Sequence, residues 1–140
     1  NFDSLDYGRA FAQNLYDEGA DIVLPVAGPV GLGSASLAAE VGNDKLKIIG
    51  VDADMTITDP SRKEVYLTSI LKHMDVTTLS VIEEVKSGNF SGGLMVGTLE
   101  NNGVGIAPFH SLASVVPSDL SAEIDEIRKG IISGSIVMNK

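Results

Sequence analysis

Cysteine and tryptophan are both absent from the 140 residues. Without cysteine there is no disulfide, thiolate nucleophile or Cys-based zinc site, although the redox compartment stays open. Cationic side chains are scarce: ten Lys and Arg stand against nineteen Asp and Glu, for a net charge of −9. A surface of that sign neutralises few phosphates, which argues against nucleic acid or an anionic membrane face as a partner. No apolar run approaches the roughly twenty residues of a bilayer-spanning helix. What is plentiful is apolar matter, 44% of the residues. At this length that is enough for one folded domain with a single core and too much for wholesale disorder. The chain opens on Asn1, with neither an initiator Met nor a signal peptide, and is expected to be a piece of something longer.

The densest information lies in Ile22-Val23-Leu24-Pro25-Val26-Ala27-Gly28-Pro29-Val30-Gly31-Leu32-Gly33 and, some residues later, Ile48-Ile49-Gly50-Val51-Asp52-Ala53-Asp54. An apolar run, a glycine-rich turn, a helix of small residues over 34–41 and a second apolar run over 47–51 together predict a βαβ unit with parallel strands and a right-handed crossover. The first strand, 21–26, is continuously apolar and is expected to be buried on both faces. Asp52 then stands at the carboxyl end of a strand, where open parallel sheets bind ligands.

Around this unit, 6–18 reads as a helix lying on the sheet, with Ala10, Phe11, Asn14 and Leu15 on one stripe and Gly19 as its stop. A long polar loop is expected over 52–63, a third strand over 65–71, and a helix over 74–86 closed by Ser87-Gly88. Asn101-Asn102-Gly103 is a hairpin signal, because Asn and Gly accept positive φ; it predicts strands over 94–99 and 104–108. The last helix, 120–132, carries Leu120, Ile124, Ile127 and Ile131 on a face expected to point inward.

The glycines after the first strand let the backbone turn sharply and let a ligand approach the main chain. Loop amides and the start of the following helix favour an oxygen-rich or anionic group, although a turn that serves only the fold explains the same residues. The order G-x-x-G-x-G is not the dinucleotide fingerprint, and there is no P-loop lysine. No cofactor is therefore expected. Asp52, rigidly anchored and partly desolvated, suits a vicinal diol, since each carboxylate oxygen can accept a charge-assisted hydroxyl hydrogen bond; the competing reading is a turn cap. Asp54 and Asp59 lack the EF-hand pattern and read as solvated loop acids rather than metal ligands. Lys72 ends the third strand at the same sheet edge as Asp52, where it can neutralise the carboxylate and donate to a sugar oxygen, or simply face solvent. His73 and His110 have no partner at metal or triad spacing and read as surface or packing histidines. No set of nucleophile, base and orienting group is present, so no enzyme is expected.

Gly19-Ala20-Asp21 leading into Val26–Gly33, then Ile49-Gly50-Val51-Asp52-Ala53-Asp54, Leu67-Thr68-Ser69-Ile70-Leu71-Lys72, Gly88-Asn89-Phe90-Ser91-Gly92-Gly93, Asn102-Gly103-Gly105 and Ile131-Ser133-Gly134 follow one another in order. This ordered set resembles the basic membrane protein family, the purine nucleoside receptor A-like substrate-binding lipoproteins of ABC transporters. The resemblance covers nearly the whole chain and is confined to the family's carboxyl-terminal half.

It implies an α/β fold of the type I periplasmic-binding-protein class: a mostly parallel, Rossmann-like sheet with helices on both faces, one lobe of a pair that closes on a nucleoside. Residues 1–140 would be the carboxyl-terminal lobe, in part. By position, Asp52 matches the acid that binds ribose hydroxyls, Lys72 the lysine beside it, Gly28 a pocket-lining loop residue and Phe2 an aromatic that stacks on the base. The family's turn often reads Gly-Gly-Thr-Gly where this chain has Gly28-Pro29-Val30-Gly31, and Pro29 removes an amide donor. The implied partners are a small nucleoside, or a sugar, and ABC permease subunits. The implied location is extracytoplasmic, through a lipid anchor on the amino-terminal part. A ligand-sensing domain of a regulatory or signalling protein would use the same fold.

Overall fold

A computed structural model of the chain describes residues 3–138; Phe2 lies outside them. The described chain forms two compact units. One runs up to Leu71 and takes in Ile106–Val115, and the other holds Lys72–Gly105 and the residues from Val116 onward. In chain order the elements are α1 (Leu5–Asp17), β1 (Ile22–Val23), α2 (Gly31–Val41), β2 (Lys47–Asp52), α3 (Met55–Thr58), β3 (Tyr66–Lys72), α4 (Met74–Ser87), β4 (Val104–Ile106) and α5 (Leu120–Ser133). Short 3₁₀ segments occupy Gly28–Val30, Pro60–Val65 and His110–Val115.

The strands stand in the order β1-β2-β3-β4. β1 pairs with β2 and β2 with β3 in parallel, which is the mixed α/β, mostly parallel sheet expected of the sequence. β4 departs from it. Ala107 N donates to Ser69 O at 2.8 Å and His73 N to Gly103 O at 3.0 Å, so the pairing steps up β3 as it steps down β4, the antiparallel pattern.

The first unit carries the buried core, in which Ala12, Val23, Leu37, Leu46, Ile48 and Tyr66 meet. Its helical layer is built on small residues. α1 buries Gly8 and Ala12, one turn apart, whereas Phe11 is 65% and Leu15 43% exposed. The expected stripe of Ala10, Phe11, Asn14 and Leu15 is therefore corrected: α1 turns a narrower face, Gly8 and Ala12, toward α2 and the core. The reason is close approach. A Cβ on Gly33 would run into Leu5 O and lie 2.8 Å from Arg9 N, and Ser34 Oγ donates to Gly8 O at 3.1 Å across the same seam.

β1 is shorter than its apolar run. Val23 is buried, but Ile22 and Leu24 are each more than 40% exposed and Val26 is 73% exposed, so burial on both faces does not hold. β1 is the outer strand of the sheet, and Pro25, which has no N–H, ends its ladder. The polar stretch after β2 is not a loop. Asp54 caps α3 by accepting from Thr56 N at 3.0 Å, and Pro60 opens the following 3₁₀ segment; the polar residues are helix caps.

In the second unit, α4 ends at Gly88 and α5 at Gly134, both in the left-handed region at φ +73° and +76°. The expected strand over 94–99 does not form. The turn that follows is closed by a side chain instead, with Asn101 Oδ1 accepting from Thr98 N at 2.7 Å and Gly103 N at 2.9 Å. The apolar stripe of α5 is only partly covered: Leu120, Ile124 and Ile131 are half-buried, whereas Ile127 is 51% exposed and no residue of the helix is fully buried.

Candidate functional site

The apolar run of β2 carries the chain to Asp52, which pairs in register with Leu71 of β3. There the backbone reverses. Asp52 takes φ +71°, and Ala53 N donates back to Val51 O at 2.9 Å. That is a γ-turn with a positive φ at its centre, the rare and strained form. Asp is among the few residues that tolerate such a φ, and strain of this kind persists only where neighbouring structure over-determines it. Met55 N donates to Ser69 Oγ at 3.1 Å on the far side of the turn, while the β2–β3 ladder holds the near side.

The turn opens on a cleft of about 350 Å³, near the lower end of the roughly 300–1,000 Å³ range of small-molecule sites. Gly28, Gly31, Gly50, Asp52, Met55 and Tyr66 are among its lining residues. Its walls are otherwise mostly apolar, and Asp52 is the one carboxylate among the described residues that line it. Gly28 faces it from the turn between β1 and α2. It adopts φ +61°, and no atom would crowd a Cβ there, so the backbone conformation is what calls for glycine. Pro29 sets φ for the short 3₁₀ turn that leads directly into α2, which is why that helix begins three residues earlier than the small-residue pattern alone suggests.

The structure thus brings Asp52 and Gly28 to one cleft. Lys72 is the last residue of β3, one beyond Leu71, the register partner of Asp52. Met55 and Tyr66 are cleft residues that the sequence does not announce: one falls in a segment that reads as loop, the other in a strand that reads as core. The two remaining acids are not solvated. Asp59 is 6% exposed and accepts from Tyr66 Oη at 2.6 Å, Arg62 Nε at 2.7 Å and Ser61 Oγ at 2.9 Å. Burial pushes its carboxyl up, but those three donors outweigh it and hold the group below the usual carboxylate range. Asp54 uses Oδ1 to cap α3 and Oδ2 to meet His110 Nε2 at 2.8 Å. It too is held low: burial opposes ionisation, and Thr56 and His110 prevail. His110 is therefore a hydrogen-bond partner of Asp54; 56 residues separate the two, and no local pattern signals the contact.

Among the described residues, no group of three or more His, Asp or Glu is placed to hold a metal ion. No helix of those residues is long and apolar enough to cross a membrane.

The family described as ABC transporter substrate-binding protein PnrA-like matches residues 1–140. Basic membrane protein A1 of Borrelia garinii subsp. bavariensis is 30% identical over 142 residues, covering 99% of this chain and 40% of that protein. The ABC transporter nucleoside-binding protein BmpA of Lactococcus lactis subsp. cremoris is 27% identical over 150 residues, covering 99% and 41%. A solved solute-binding protein of an ABC transporter system from Conexibacter woesei superposes with a TM-score of 0.77 at 26% identity, over 97% of this chain and 43% of its own. The chain spans about two fifths of the length of the curated relatives it matches.

Proposed function

The chain belongs to the PnrA-like family of ABC transporter substrate-binding proteins, and we propose that it is the carboxyl-terminal part of a two-lobed receptor that binds a nucleoside and hands it to permease subunits. Proteins of this family bind solute and catalyse no reaction. The observation that carries the reading is the carboxylate of Asp52, held on a strained turn at the edge of an otherwise largely apolar cleft. A ribose offers two adjacent hydroxyl donors to such a group, and the apolar walls accept a base.

In this reading Asp52 accepts from the ribose diol, and Lys72, at the end of the neighbouring strand, donates to a sugar oxygen. Gly28 gives the ligand access to main-chain atoms at the turn. Phe2 stacks on the base, a contact worth about 1–3 kcal/mol where aromatics stack on bases in single strands. The name of the Lactococcus relative, a nucleoside-binding protein, supports the ligand class. The protein works outside the cytoplasm, tethered by a lipid on its amino-terminal part, and its affinity arises as two lobes close over the solute.

Isothermal titration of the two-lobed protein with adenosine, guanosine, inosine, cytidine and uridine, with ribose and galactose as controls, tests this. Binding of nucleosides without binding of free sugars is expected. Binding of sugars alone overturns the ligand class, and silence toward every compound overturns the receptor reading.

A further inference from the structure

We propose that His110 is a positioning residue for Asp52: acting through Asp54, it fixes the far end of the γ-turn that presents the Asp52 carboxylate to the cleft. The inference rests on the reading of Asp52 as the ligand-binding acid.

The geometry is a brace closed on three sides. β2 is tied to β3 through the parallel ladder up to the pair Asp52 and Leu71. The segment that carries His110 is tied to β3 as well, by Ala107 N to Ser69 O at 2.8 Å and Thr68 Oγ1 to Ala107 O at 2.6 Å. Just beyond, Leu112 is buried and its N–H returns to Phe109 O at 2.9 Å. Between these two fixed arms, the chain beyond Asp52 is tied back to β3 by Met55 N donating to Ser69 Oγ at 3.1 Å. The contact from His110 Nε2 to Asp54 Oδ2, at 2.8 Å, closes the third side.

Both ends of that contact are specialised. Asp54 divides its carboxylate, giving Oδ1 to Thr56 N and Oγ1 and leaving Oδ2 to the imidazole. His110 takes φ +44°, a left-handed conformation uncommon outside Gly, Asn, Asp and His. Two non-glycine residues with positive φ thus meet at one hydrogen bond, His110 as a member of it and Asp52 two residues from its partner Asp54, and strain at both is sustained by the structure around it. Because the carboxylate is ionised, the imidazole nitrogen facing it carries the proton and donates, in either the neutral or the cationic ring. The link therefore does not depend on His110 being charged.

Two readouts test the proposal. The first uses the two-lobed protein without ligand: amide hydrogen exchange by NMR in His110→Ala and His110→Gln. Exchange at Ala53 and Met55 should accelerate at least tenfold in His110→Ala, with Ile48 and Gly50 unchanged, and His110→Gln, whose amide can still donate to Asp54, should restore most of the protection. Unchanged exchange at Ala53 and Met55 overturns the proposal, as does acceleration spread equally along β2. The second uses the two-lobed protein and adenosine. His110→Ala should weaken adenosine at least fivefold while leaving 2′,3′-dideoxyadenosine unchanged, with recovery in His110→Gln. An equal loss for both ligands overturns the positioning role. Should Asp52→Ala itself leave adenosine affinity intact, the ligand role of Asp52 fails, and with it the positioning claim, whatever the exchange rates show of the brace.

Discussion

Tyr66 donates its phenolic hydrogen to Asp59 Oδ2 at 2.6 Å, joining a fully buried side chain of the core to a carboxylate that is itself 6% exposed. The same tyrosine is among the residues that line the cleft, so a stability element and a part of the candidate site's wall are one residue. Replacing Tyr66 with Phe keeps the ring and leaves the buried carboxylate short of a donor. Hydrogen bonds to charged groups contribute roughly 1.5–3 kcal/mol, and the Tyr66→Phe variant should lose about that much. Urea denaturation should show a lower midpoint at an unchanged slope; an unchanged midpoint would mean the bond is incidental.

Acid should unfold the first unit through the same group. Asp59 and Asp54 both ionise below the usual carboxylate range, since their donors outweigh the burial that opposes ionisation. A carboxyl group whose folded pKa is depressed contributes stability that is complete above its unfolded value of about 3.9 and disappears as pH falls through the folded value. The thermal midpoint should therefore hold from neutrality to about pH 5 and fall below about pH 4. In Asp59→Asn the acid limb should be shallower, and an acid limb of undiminished steepness would place the titrating group elsewhere.

Gly33→Ala probes the seam between α1 and α2. Its new Cβ meets backbone, Leu5 O and Arg9 N, which cannot swing aside as a flexible side chain would. Overpacking of this kind costs about 1–3 kcal/mol. A drop in thermal midpoint is expected, with the far-ultraviolet circular dichroism unchanged at low temperature; an unaltered midpoint would show that the helices separate without penalty.

The sheet was legible because its signals are local: β2 and β3 are short apolar runs bounded by turn residues, and glycine marks the ends of α4 and α5. The Gly28 turn and Asp52 were legible for the same reason, each standing directly after a strand run. What escaped depends on what lies across the fold. Phe11 and Leu15 look like a buried stripe until Gly8 and Ala12 are seen to serve the closer helix contact. Asp54 and Asp59 read as loop acids because helix caps and loop residues share a composition. His110 was opaque for a topological reason, since only the antiparallel return of β4 brings it to Asp54.

The most direct test of the central claim is calorimetric titration of the two-lobed protein with adenosine and with 2′,3′-dideoxyadenosine, in the native sequence and in Asp52→Ala. If Asp52 holds the ribose diol, the native protein should favour adenosine by about 1.5–3 kcal/mol, roughly ten- to a hundredfold, and Asp52→Ala should erase the preference. Equal affinity for the two compounds in the native protein, or a preference that survives the substitution, would contradict it.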